Sequence, residues 1–388
     1  MTVAPTRDPL AAASETMRRS LHGWLEMCAT TTRVGFDYWQ GAASRGATLP
    51  DVAADWLRWN RLVTDRSRPT WSTPNEVIER SPIAALRDFS GGVETGVTPT
   101  LILPPQAGHD SCIVDYSPTQ SQVLTAKAAG LTRLYVLEWL EATSATKHCS
   151  IDDYLAVIRS AIQRIGGPVN LIGDCQGGWL ATVYAAVHPA DVASLTIGGA
   201  PIDFHAGDAA IADFVKLMGG MDFYRAAVRL GDGLYKGASM LQGFIAMQPE
   251  TELKKHLELL LHLDDEAYLR RYAEFQDWYA HTQDISGAFY LWIVENLFLE
   301  NRLVKGTLEI GGKRVDLGAI TCPVNLLAGS EDHITPAEQV FALAHHVSTD
   351  PEQIHERLTG GGHLGLFMSR SALAEEWLPL LQGVAAAG

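Results

Sequence analysis

The sequence predicts an α/β protein: a mostly parallel, doubly wound sheet with a helical insertion and a helical N-terminal region. Three observations carry this. From Thr100 onward, short apolar runs alternate with helical stretches. The runs are continuous rather than alternating, as strands buried on both faces require. The rhythm stops after Ile197 and resumes at Val324, and residues 208–305 between them read as mostly helical.

The first hundred residues read as helix-rich and poor in strands. Met17, Leu21, Trp24 and Cys28 fall at helical spacing, as do Trp56, Trp59 and Val63. Such a stripe reads as core packing, and its sharper alternative is a surface for a partner, an apolar particle or a long acyl substrate. Strands are then expected at Thr100–Leu103, Leu134–Leu137, Val169–Ile172, Ser194–Ile197, Val324–Leu327 and near Ile354–Leu358. Residues 150–165 and 177–187 are the clearest crossover helices, and parallel neighbours demand right-handed crossovers. This divides the chain into an N-terminal region (1–95), a first core segment (96–205), a helical cap insertion (206–305) and a second core segment (306–388). A cap at that point would lie over the C-terminal strand edge, where open α/β sheets hold their ligands.

Composition bounds the function. The 388 residues carry 30 basic against 45 acidic side chains, a formal charge of -15. That charge repels phosphate backbones and argues against nucleic acid as a partner. The five cysteines are scattered without a CxxC pair, which argues against a disulfide framework and a zinc site and favours a reducing compartment. The first twenty residues lack the basic start and apolar core of a signal peptide. No apolar run is long enough for a membrane span, so a cytoplasmic protein is expected. No Walker loop, metal-ligand cluster or dinucleotide turn is present, and no cofactor is expected.

The most informative stretch is VNLIGDCQGGW, Val169–Trp179. A buried strand runs into Gly173-Asp174-Cys175-Gln176-Gly177-Gly178, and a helical pattern follows. This is the layout of a nucleophile elbow with Cys where Ser is more common. The nucleophile sits on a sharp, strained turn, where side chains two positions to either side would collide. Gly173 and Gly177 remove those collisions. Were Asp174 the nucleophile, the flanking positions would be Ile172 and Gln176, and neither is small. Cys175 is therefore the candidate nucleophile, and the backbone N–H of Gln176 is a candidate oxyanion donor at the positive end of the helix.

An elbow nucleophile needs a base, and the base needs an orienting carboxylate, in the chain order nucleophile, acid, histidine. After the Val324 strand, the loop Gly329–Pro336 offers Asp332 as the acid, with Glu331 as the weaker substitute. His363 follows three glycines, which let its loop approach the thiol, and is the candidate base. His333 competes, but it shares the turn of Asp332; it is kept as a candidate substrate-binding residue. A second oxyanion donor is expected from the loop after the first core strand, a backbone N–H within Gln106–Gly108, with Gly108 the chosen position. His109 either lines the pocket or caps the next helix. Cys112 and Cys149 lack elbow or partner spacing and, with Cys28 and Cys322, read as packing residues.

At these residues a family becomes recognisable. The run VNLIGDCQGGWLATVYAAVHPADVASLTIGGAPIDF resembles the polyhydroxyalkanoate synthases, members of the α/β-hydrolase superfamily with a Cys nucleophile and a GxCxGG elbow. ENRLVKGTLEIGGKRVDLGAITCPVNLLAGSEDHITP and GGGHLGLFMS resemble the acid and histidine regions of that family. The likeness covers residues 100–205 and 285–385. PQAGH, GGAPID and DISGAFYLWIVENLF are similar to the related intracellular polyhydroxyalkanoate depolymerases. The resemblance implies an α/β-hydrolase fold in which Cys175 carries the acyl chain, His363 activates the thiol and the incoming hydroxyl, and Asp332 supports it. It implies 3-hydroxyacyl-CoA or polyhydroxyalkanoate as substrate, with CoA as a substrate moiety rather than a cofactor. The expected activity is a synthase-like acyltransferase. The alternatives are a depolymerase or oligomer hydrolase with the same triad, and an inactive granule-associated protein. A polymer granule surface and a homodimer are the expected assemblies.

Overall fold

The computed structural model describes residues 9–92, 96–208, 210–247 and 249–387, with side chains described from Gly23 onward except those of Met247 and Pro249. The start of the segment read for a signal peptide, and the side chains of Met17 and Leu21, lie outside what is described. Two compact units divide the chain, one of Met1–Ser67 with Leu241–Ala280 and one of Arg68–Met240 with His281–Gly388.

The larger unit is built on eight strands: β1 (Glu76–Arg80), β2 (Ala84–Asp88), β3 (Thr100–Leu103), β4 (Leu134–Trp139), β5 (Val169–Asp174), β6 (Val192–Gly198), β7 (Val324–Gly329) and β8 (Ile354–Thr359). Their spatial order is β1-β2-β4-β3-β5-β6-β7-β8. β2 runs antiparallel to both of its neighbours, and the other pairings are parallel. This is the α/β-hydrolase arrangement. β3, β5 and β7 are buried along their whole length, which explains their unbroken apolar character. The chain steps from β3 outward to β4, then crosses back to β5 and continues through β6 the other way. Neighbours β3 and β5 therefore flank the switch point, where a crevice opens at the C-terminal strand ends.

One expectation is corrected. The region 1–95, read as helix-rich, ends in β1 and β2, which belong to the sheet. β1 is an edge strand of sequence EVIER with no fully buried residue, so it lacks the apolar run that marked the central strands.

The helices follow from local chemistry. α1 (Pro9–Ser44) and α2 (Leu49–Thr64) belong to the smaller unit. α3 (Gln122–Ala128) starts at Ser121, whose hydroxyl accepts the Leu124 N–H. α4 (Ile151–Ile165) begins in a Ser150/Asp153 capping box and ends at Gly166 with φ +86°. α5 (Gln176–Val187) is buried from Gly177 to Ala186, as its lack of a polar face requires. Among the described residues no helix is long and apolar enough to cross a membrane.

In the smaller unit, Val34 and Tyr38 of α1 pack with Leu260 and Leu263, and Trp59 and Leu62 of α2 close over them. The Trp59 indole N–H donates to the His256 carbonyl at 2.8 Å. The aromatic stripe is thus only partly core: Trp24 is 56% and Trp56 is 44% exposed. The buried face of α1 is carried by residues further along, where tertiary partners exist.

Candidate active site

β5 delivers its last residue into the turn with backbone geometry that few L-residues adopt. Cys175 has φ 48° and ψ -115°, a conformation that costs about 1–3 kcal/mol. Its N–H donates to the Gly198 carbonyl at 2.8 Å, and its own carbonyl accepts from Gly178 at 3.0 Å, so the strain is held from both sides. A Cβ on Gly173 would lie 2.5 Å from the Gly177 carbonyl oxygen. On Gly177 it would lie 2.0 Å from the Leu103 carbonyl oxygen, and on Gly178 2.3 Å from the Ala200 Cβ. The three glycines let β5, α5 and the end of β3 meet at one point. Cys175 and Gln176 are half-buried there. Gln176 is the first residue of α5, so its N–H has no partner within the helix and faces the turn.

The other two candidates arrive from adjacent strands. β7 and β8 are in register to Gly329 opposite Thr359. The loops beyond are tied by Ser330 N–H to the Thr359 carbonyl and Glu331 N–H to the Gly361 carbonyl. Asp332 and His363, each a few residues past that paired end, therefore emerge side by side. His363 Nδ1 donates to Asp332 Oδ2 at 2.7 Å, and both side chains are buried. Asp332 Oδ1 accepts the backbone N–H groups of Ile334 and Thr335 at 2.9 and 2.8 Å, which fixes the carboxylate's plane. Glu331, the weaker substitute, is exposed. With Nδ1 taken by Asp332, Nε2 is the ring nitrogen left to serve Cys175. Burial pulls the His363 pKa down, but the charges of Cys175 and Asp332, with the hydrogen bond to Asp332, raise it to about 10. The structure thus hydrogen-bonds His363 to Asp332 and places the imidazole close enough to Cys175 for the two to act on each other electrically.

The remaining candidates are placed around it. Gly108 has φ +80°, its Cα faces Gly237 and Met240, and its carbonyl accepts the Gln283 N–H at 2.8 Å. His109 is buried, with Nδ1 3.2 Å from the Ala107 carbonyl, and it bridges to Thr282. The loop after β3 is therefore pinned to segments 237–240 and 282–283 of the insertion. His333 is exposed; crowding by surrounding protein and the His363 imidazole lower its pKa, while Asp332 acts to raise it.

Other features were not anticipated. Gln106 Nε2 donates to the Tyr154 hydroxyl at 3.1 Å. Tyr154 stacks on Phe289 with ring centroids 3.8 Å apart, and Trp179, one turn after Cys175, stacks on Trp292 at 6.1 Å. This aromatic wall couples α4 and α5 to the helix Gly287–Ile293. Only its contacts identify it, because its four aromatics come from three separate segments with no spacing shared between them. A buried pair, Asp174 and Gln122, also lies behind the turn. Asp174 was visible in the GDCQGG stretch, but nothing in the sequence marked α3 as its neighbour.

A family model described as "Protein of unknown function (DUF3141)" matches residues 85–385. The chain belongs to this family. This DUF3141 member is also similar to curated polymerases. It is 25% identical over 313 residues to the poly(3-hydroxyalkanoate) polymerase subunit PhaC of Haloferax mediterranei, covering 79% of this chain and 62% of that protein. To the Haloarcula marismortui subunit it is 28% identical over 276 residues, covering 68% and 56%. The DUF3141 chain therefore spans about three-fifths of the length of these relatives. To the Allochromatium vinosum subunit it is 26% identical over 249 residues, covering 62% and 68%. A solved carboxylesterase structure from Nitrososphaera gargenis aligns at a TM-score of 0.49 and 14% identity over 81% of this chain and 98% of that one, too loosely to bear on activity.

Proposed function

We propose that Cys175, His363 and Asp332 form the acyl-transfer machinery of an enzyme acting on 3-hydroxyacyl thioesters or esters, a synthase-like acyltransferase using 3-hydroxyacyl-CoA. The observation that carries this is the imidazole–carboxylate hydrogen bond of His363 and Asp332, set beside Cys175 at a strained turn. Likeness to polymerase subunits supports the substrate class.

The chemistry follows from the geometry. His363 Nε2 holds the proton drawn from Cys175, and Sγ attacks the thioester carbonyl. The negative charge gathering on the carbonyl oxygen faces the Gln176 N–H at the head of α5, a donor already oriented. Collapse breaks the bond to CoA, whose sulfur leaves with the proton held by His363. The acyl group is now a thioester on Cys175 and keeps its transfer potential. A 3-hydroxyl of a second acyl group then gives its proton to His363 and attacks. The new ester forms as Sγ leaves and recovers that proton. Asp332 keeps Nδ1 protonated throughout, so Nε2 always faces the reaction.

Water in place of the hydroxyl releases the free acid, and hydrolysis is the second reading; the PQAGH segment at the end of β3 favours it. Parallel incubations with 3-hydroxybutyryl-CoA and with amorphous polymer decide between them, following CoA and free hydroxy acid. CoA released as polymer accumulates supports the acyltransferase. Soluble acid from polymer without CoA turnover supports the hydrolase, and neither product in the presence of folded protein removes both.

Asp332→Asn tests the support role. The amide fills the same space but presents a dipole to Nδ1 that favours the wrong tautomer. Turnover is expected to fall by about 10²–10⁴-fold. With one of its two anions gone, the His363 pKa falls, so any alkaline limb of the rate profile that reports His363 moves to lower pH. An unchanged pH profile of kcat/KM would sink this assignment.

A further inference from the structure

The residue before the nucleophile takes no part in the chemistry above, yet its side chain is fully buried. Asp174 closes β5, and its Oδ1 accepts the Gln122 Nε2–H of α3 at 3.1 Å. The surrounding wall is apolar: a Cβ on Gly198 of β6 would lie 2.7 Å from the Trp377 ring and 3.4 Å from Asp174 Oδ1. Of the six enclosed side-chain atoms without a hydrogen-bond partner among the described residues, two are the second oxygens of these same two groups, Asp174 Oδ2 and Gln122 Oε1. An ionised carboxylate has acceptors only. It would leave Oδ2 a buried anionic oxygen without a donor, beside a second acceptor in the same condition, an arrangement that is costly in a dry interior. Rotating the amide exchanges its N and O but leaves one oxygen facing one oxygen. A single added proton resolves both vacancies.

We propose that Asp174 is held as a neutral carboxylic acid in a two-bond ring with Gln122, Nε2–H to Oδ1 and Oδ2–H to Oε1, and that this ring positions the nucleophile turn against α3. The proposal rests on Cys175 being the nucleophile. The groups that act on Asp174 electrically support it. Burial raises its pKa to about 7, against the opposing pull of the Gln122 hydrogen bond and the His363 charge. His363 is the charged group facing it from the helix that starts at that residue, and Cys175 adjoins it on the turn. α3 presents the uncharged Gln122, β6 presents Gly198, and the C-terminal helical segment presents Trp377. A neutral acid keeps a second anion away from the sulfur while it carries negative charge.

Asp174→Asn is the deciding variant, because an amide pair rebuilds the ring with Nδ2–H in place of Oδ2–H. Alkylation of Cys175 by iodoacetamide, corrected by the Cys175→Ala protein, reads the turn without any substrate. At about pH 5, where the acid is un-ionised, Asp174→Asn is expected to react within about twofold of the unmodified protein. Above about pH 7 the unmodified protein falls behind the variant, because ionisation opens its ring. Stability gives a second readout. The unfolded Asp ionises near 3.9 and the folded one near 7, so the folded state holds the extra proton between those values. The unmodified protein therefore loses stability relative to Asp174→Asn as pH rises from about 4 to about 7, and not beyond.

Asp174→Leu leaves the Gln122 amide without either partner, and Cys175 alkylation is expected to fall by about tenfold. A tenfold loss in Asp174→Asn at about pH 5, or a stability difference that is flat with pH, would overturn the neutral ring. Unmodified reactivity in a folded Asp174→Leu would overturn its positioning role. If Asp174→Leu does not fold, the pH series of Asp174→Asn decides alone. None of these measurements needs acyl transfer, so a failure of the proposed activity shows separately in the CoA assay.

Discussion

With Cys175 replaced by alanine, CoA release from 3-hydroxybutyryl-CoA falls by about 10⁴-fold or more, and no acyl group is retained on the protein after a denaturing quench. The size of the effect follows from the role. No other group at the turn can form the covalent intermediate, so the whole path is lost rather than slowed. The fold should survive, since Cys175 is small and half-buried. A companion variant separates chemistry from stability. Cys175→Gly relieves a backbone held at φ 48° and ψ -115°. Because such strain costs about 1–3 kcal/mol, less the extra entropy of an unfolded glycine, Cys175→Gly is expected to unfold at the same or a higher temperature while being equally inactive. A large stability loss in that variant would show that the turn is not strained. Retained CoA release in Cys175→Ala would remove the thiol from the mechanism.

The second large effect is steric. In Gly177→Ala the new Cβ would stand 2.0 Å from the Leu103 carbonyl oxygen and 2.8 Å from that of Pro104. Both are backbone atoms at the end of a buried strand, so no rotamer change can make room. Overpacking of this kind costs about 3 kcal/mol or more, read as a fall of roughly 6–12 °C in Tm. Cys175 alkylation should drop as well, because the obstacle displaces α5 from β3. Gly383→Ala is the control. That glycine is exposed on the helix Leu378–Ala387 with nothing within 4 Å of a new Cβ, and alanine there should stabilise by about 0.5–1 kcal/mol. Equal Tm values for the two alanine variants would contradict the close approach.

The parts of this fold legible in the sequence are those where one local signal suffices. β3, β5 and β7 announced themselves because burial on both faces leaves no room for polar residues. The elbow was legible because its steric demand falls on positions close in the chain, Gly173 and Gly177. β1 and β2 were not legible. Their residues Glu76, Glu79, Arg80 and Arg87 satisfy an edge strand and a salt bridge from Arg87 to Glu138, not an apolar pattern. The Asp174–Gln122 pair and the wall of Tyr154, Phe289, Trp179 and Trp292 were hidden for a different reason. Each joins segments far apart in sequence, and pairing across such distances leaves no periodic trace. The exposure of Trp24 and Trp56 shows the converse: helical spacing marks a face, and only a partner makes that face a core.

The smaller unit draws its residues from two stretches of chain, and this has a consequence for biosynthesis. Val34 and Tyr38 find their apolar partners in Leu260 and Leu263. A ribosome must translate residues 68–240 between the two halves, which takes roughly 10–35 s at ordinary elongation rates. For that interval α1 and α2 wait without the surface they bury against, while most of the sheet, through β6, is already made. The nascent chain is then most exposed to proteases and holdase chaperones at its N-terminal helices, and pausing before residue 280 would lengthen that window.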